Sequence, residues 1–108
     1  MSICIVISDT VRFAVKGALR GQDGTQKPFD FELTARRLDT DAYQEAITSS
    51  SLGDFLRGVV TDWHKVLDDA GEPVPFGASA FERLLRMPGM ASHIFKVYSA
   101  EVAVKEKN

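Results

Sequence analysis

The residues best placed to do chemistry sit in "VVTDWHKVLDDAGEPVPF", Val59 to Phe76, where Asp62 and His64 bracket Trp63. An aspartate within hydrogen-bond reach of a histidine fixes its tautomer and supports it as a general base. The chain offers little else of this kind. It has two histidines and one cysteine, Cys4, at no spacing that suits a zinc site, and a single cysteine excludes an internal disulfide framework. No GxSxG, HExxH or phosphate-loop glycine run is present. The question is therefore whether the elements around Asp62 and His64 can bring the two side chains together.

The surrounding pattern predicts that they cannot. Leu52, Phe55, Leu56, Val59, Val60, Trp63, Val66 and Leu67 recur at the spacing of one helical face, a continuous stripe of about four turns. On such a helix Trp63 is core, while Asp62 and His64 flank the stripe about 200° apart and cannot meet. His64 is then a surface side chain. The chain is expected not to be an enzyme and to need no cofactor.

The rest of the chain supplies strands first and helices after. Val11, Phe13, Val15 and Leu19 keep a period of two, with Gly17 where another apolar residue would fall. After the turn-forming run Gly21 to Pro28, the residues Phe29, Phe31, Leu33 and Ala35 alternate with Asp30, Glu32, Thr34 and Arg36. These two stretches make an antiparallel hairpin that needs other elements to cover its apolar face. Asp39, Thr40 and Asp41 are helix N-cap types ahead of Tyr43, Ala46 and Ile47. Ser51 with Asp54 resembles a capping box for the next helix. Gly71, Pro73 and Pro75 end the long stripe and force extended geometry. A short helix follows, started by Ser79 with Glu82 or by Gly77, and carries Phe81, Leu84 and Leu85 up to Pro88 and Gly89. In the last helix Met90, Ile94, Val97 and Tyr98 share one side, while Phe95 and Val102 add a second strip. Such breadth means deep burial or a face used by a partner, and these six residues are the candidate partner-binding wall.

The fold class expected is α+β: an N-terminal antiparallel hairpin or small sheet, then about four α-helices. The 108 residues suit one domain, strand-rich over 1–38 and helical over 39–108. Net charge of −2 gives no general attraction to nucleic acid or to an anionic membrane. Ile3 to Ile7 is too short for a signal-peptide core or a membrane span, and reads as a buried strand or one that pairs with a neighbouring subunit. A lone cysteine is compatible with a reducing cytoplasm.

Several of these features together resemble the tail assembly chaperones of long-tailed bacteriophages and prophages. The likeness covers roughly residues 28 to 100 and leaves out the opening "ICIVISDT". It begins with Arg36, Arg37 and Leu38 before an acidic helix start, and continues with a helix that ends in Trp63. A D-x-x-G-x-P-V-P-F turn follows, Asp68 to Phe76, with Gly71, Pro73, Pro75 and Phe76, and then the paired Leu84 and Leu85. The resemblance implies a small protein of the host bacterial cytoplasm that binds the long helical tape measure protein, together with tail proteins, and is absent from the finished virion. It also implies copies that self-associate along one partner, and in many members a longer form made by translational frameshift.

Two other readings use the same residues. A small structural tail-completion or minor tail protein would share the size and the tendency to associate. A nucleic-acid binder would need Arg12, Lys16, Arg20, Arg36 and Arg37 on one face of the hairpin, but that face has no interleaved aromatic residue.

Overall fold

The computed structural model describes residues 10–49 and 51–103; the strand expected at Ile3 to Ile7 lies outside them. The period-two stretches form β1 (Thr10–Arg20) and β2 (Gln26–Arg36), paired antiparallel from Thr10 opposite Arg36 to Arg20 opposite Gln26. Phe13, Val15, Phe31, Leu33 and Ala35 are buried on one face. The connection is a five-residue loop, closed by the Gly21 N–H donating to the Thr25 carbonyl at 2.8 Å. Gly17 breaks the apolar alternation because the ring of Phe29 lies over it. A Cβ at position 17 would stand 2.6 Å from Phe29 Cζ.

Helix α1 (Thr40–Ser49) is capped by Asp39, whose Oδ1 accepts the Ala42 N–H at 2.8 Å. Helix α2 (Leu52–Val59) starts as the capping residues predict, with the Ser51 hydroxyl accepting the Asp54 N–H. It does not run on to residue 67. Val60–His64 forms β3, antiparallel to β2, and completes a sheet of order β1-β2-β3. One strand thus falls inside the part expected to be helical. Two physical facts explain the difference. Val59, Val60 and Thr61 are three β-branched residues in succession, which favour a pleated strand over a helix. The ladder also carries a bulge: Thr34 opposes Asp62 and Ala35 opposes Val60, leaving Thr61 as an extra residue. The bulge puts Val60 and Trp63, three apart, on the same buried face, which imitates helical spacing.

Beyond β3, Lys65 turns the chain with φ 67, a left-handed conformation uncommon for a side chain of this kind. Val66 and Leu67 then run beside Pro73 and Val74, with the Val74 N–H donating to the Val66 carbonyl at 2.8 Å. The reversal between them is fixed by Asp68, whose Oδ1 accepts the N–H groups of Ala70 and Glu72, and by Gly71 at φ 81. Helix α3 (Ala78–Leu85) begins after Gly77, and α4 (Met90–Val102) after Gly89 at φ 80.

The helices pack on one face of the sheet, leaving the other face polar. Phe55, Leu56 and Val59 of α2, Phe81 of α3, and Met90, Ile94 and Tyr98 of α4 join the buried strand residues in one cluster. Each large apolar side chain sequestered there contributes about 1.5–3 kcal/mol. The Tyr98 hydroxyl donates to the Arg36 carbonyl at 2.8 Å, tying α4 to the end of β2. The fold is α+β, with four helices among the described residues.

Candidate partner-binding trough

The strand at 60–64 overturns the exclusion of an Asp62–His64 contact. In a strand, residues two apart share a face. His64 Nε2 lies 3.9 Å from Asp62 Oδ2, both side chains about half exposed. The separation exceeds hydrogen-bond length, and the other Asp62 oxygen accepts the Trp63 N–H at 2.8 Å. Neither side chain lines any of the hollows described below. The two residues meet on the polar face of the sheet.

That face also carries Arg12 and Lys16, interleaved with acids. Glu32 accepts from Arg12 Nε at 2.5 Å and pairs with Lys65 Nζ at 3.3 Å. The Arg12 hydrogen bond, followed by that of Lys65, holds the Glu32 carboxyl below its ordinary range. Arg36 points instead to the Gly58 carbonyl, 2.7 Å away, and Arg37 Nε is buried without a hydrogen-bond partner. Of the five cations considered for nucleic-acid binding, Arg12 is thus paired with an acid, Arg36 with a main-chain carbonyl, and Arg37 is partly buried. Among the described residues no group of three or more His, Cys, Asp or Glu side chains could hold a metal ion, and no helix is long and apolar enough to cross a membrane.

The sequence-derived partner wall on α4 is placed differently. Ile94 and Tyr98 are fully buried in the chain's own core and offer no surface in this fold, while Met90, largely buried, borders two of the hollows described below. Phe95 stacks on Tyr43 at 6.2 Å and meets Phe55 edge-on at 5.4 Å, beneath α1. Val97 and Val102 are partly buried against the same core. The breadth of the α4 apolar surface reflects burial on two sides, by the sheet and by α1 and α2.

The residues of the turn motif are brought together around Trp63. Its indole packs edge-on against Phe76 at 5.3 Å, and Phe76 in turn meets Phe81 at 5.7 Å. Pro73 sits opposite Leu67, while Leu38 and Leu85 pack against the core. Leu84 also packs partly against the core and lines an open apolar trough.

This trough is the surface that periodicity missed. Three hollows adjoin in series. The first, about 240 Å³, lies between Gly17, Phe29 and His93; the second, about 340 Å³, shares Leu19, Phe29 and Met90 with it. The third, about 510 Å³, shares Val66, Leu67, Leu84 and Met87 with the second and reaches Trp63 and Val74. Leu67 is 56% exposed and Leu19 is 42% exposed, so the trough opens large apolar side chains to water. A helix over residues 60–67 would put Leu67 on the core stripe; the strand and turn leave it exposed. The available signal was the pair of exposed alternation ends, Leu19 and Leu67, each beside a turn.

No family model, curated protein or solved structure matches this chain.

Proposed function

We propose that the chain is a binding module that shields an amphipathic helix of a larger partner, acting as a tail assembly chaperone for a tape measure protein. The observation that supports this reading is the trough of Leu19, Phe29, Val66, Leu67, Leu84 and Met87. Leucine and methionine side chains adapt to varied apolar partners, and three hollows in a row suit anchors at i, i+3 or i+4, and i+7 of a docked helix. A long helix cannot bury its own apolar stripe, so many small subunits along it would keep it soluble, each weak site contributing to a strong total. The resemblance through Arg36 to Leu38, Trp63 and the Asp68–Phe76 turn supports this class of partner, and with it the proposed role in the host cytoplasm before the virion is finished.

Co-expression with a tape measure protein, affinity capture and light scattering test the proposal. The expected result is a soluble complex with many copies of this chain per partner, lost on Leu67→Asp. Leu67 is largely exposed, so circular dichroism of that variant should remain that of the folded chain. A wild-type chain that ignores the partner, or that is found in purified particles, would replace this reading with a structural tail component.

A further inference from the structure

The two long walls of the trough differ in charge. In the largest hollow, Asp68 and Asp69 line the wall formed by the 66–74 turn, and Arg83 lines the wall formed by α3. Asp68 is held in place by its bonds to the Ala70 and Glu72 N–H groups. No hydrogen bond or ion pair among the described residues engages the side chains of Asp69 or Arg83, whereas the neighbouring Arg57 is saturated by Glu82 and Asp54. The largest hollow thus presents unneutralised acid on one side and an uncommitted guanidinium on the other, while in the middle hollow Lys65 is paired with Glu32 and Asp30 adds a further acid.

A strand is a poor occupant. β3 covers β2 only from Glu32 to Ala35, so β2 from Gln26 to Phe31 borders the trough as an edge. Gly21 and Thr25 form a hydrogen-bonded pair, and alternation makes Ala18 and Pro28 a pair whose main chain points away from the β1–β2 seam. Pro28 has no N–H to offer there, which guards the edge against strand addition.

We propose that the trough accepts an amphipathic helix in one direction only, with a basic flank along the Asp68–Asp69 wall and an acidic flank along the Arg83 wall. This rests on the reading of the trough as a helix-binding site. A helix with its apolar stripe facing the protein has distinguishable left and right flanks, and turning it end for end exchanges the walls they face. Wrong orientation sets like charges against each other, so the charges select direction more than they add affinity. Along a long partner, the rule would give every bound copy the same polarity.

The probe is a pair of synthetic helical peptides with one leucine stripe, one carrying lysines on the left flank and glutamates on the right, the other the reverse, each with a nitroxide label at its N-terminus. Each is bound to the wild type and to the Asp69→Lys, Arg83→Glu double variant, and the label's broadening of amide signals is compared at the Gly17 and Val74 ends of the trough. The expected result is that the two labels favour opposite ends by about fivefold, less at high salt, and that the ends exchange in the variant. A label that broadens both ends equally, or an end preference that survives the double substitution unchanged, overturns the directional rule and leaves the helix-binding reading standing. Binding of neither peptide removes that reading and the rule with it.

Discussion

Trp63 donates its indole N–H to the carbonyl of Val74 at 2.7 Å, joining β3 to the proline-flanked stretch that forms one wall of the trough. Pro73 and Pro75 stiffen the chain on either side of that carbonyl, so a single bond positions the whole turn from Asp68 to Phe76. The indole is 5% exposed, which makes the bond one between groups largely removed from water. Trp63→Phe should keep much of the packing against Phe76 and Phe81 while leaving the Val74 carbonyl without its donor, at a cost of about 1–3 kcal/mol. Trp63→Ala should cost about 3–5 kcal/mol by opening a cavity as well. Urea unfolding midpoints measure both, and a loss below about 1 kcal/mol for the alanine variant would contradict the core placement.

Gly17 and Phe29 make a second test of the trough's construction. Any side chain at position 17 must displace the Phe29 ring, whose Cζ lies 2.6 Å from where a Cβ would stand. That ring separates the first two hollows. Gly17→Ala should cost about 1–3 kcal/mol from overpacking and weaken helix binding at that end of the trough. Thermal unfolding reads the first effect and peptide titration the second. An alanine variant that binds and melts like the wild type would show that the ring moves aside freely.

The hairpin was legible because one face is buried and the other solvated, which writes a period of two into Phe13, Val15, Phe31, Leu33 and Ala35. The starts of α1 and α2 were legible because their caps are local: Asp39 and Ser51 bond within three residues. The switch from α2 to β3 was not legible from periodicity. A bulged strand and a helix place the same apolar residues, Val60 and Trp63, on one side. The trough was not legible either, because it is assembled from β1, β2, the 65–74 turn and α3, whose proximity depends on the β2–β3 pairing. Periodicity identified the turn residues around Trp63 but could not say that Leu84, three helix positions from the buried Phe81, borders an open trough.

His64 now has a named neighbour in Asp62, yet little should rest on the pair. The 3.9 Å separation between half-exposed groups gives at most a weak surface attraction. His64→Ala should change stability by no more than about 0.5 kcal/mol and leave peptide binding unaltered. Chemical denaturation and titration of that variant provide the check. Loss of partner binding on this substitution would locate the working surface on the sheet's polar face and not in the trough.

Arg57 and Glu82 clamp α2 to α3 through two parallel bonds, Nε to Oε2 at 2.6 Å and Nη2 to Oε1 at 2.8 Å, with Asp54 on the remaining nitrogen at 2.5 Å. The hydrogen bonds from Arg57 hold the Glu82 carboxyl below its ordinary range, outweighing the opposing effect of desolvation. A depressed carboxylate stabilises the fold above its unfolded-state pKa, and that contribution disappears as pH falls through the lower folded-state value. Wild type should therefore exceed Glu82→Gln in melting temperature near neutral pH, with the gap closing on acidification below the ordinary carboxylate range. Glu32 is depressed by Arg12 and Lys65 and remains in both proteins, so its own acid loss cancels from the difference. Melting curves of the two chains across that acid range measure the gap. A difference that stays constant from neutral pH into acid would mean that the Glu82 charge contributes nothing to joining the two helices.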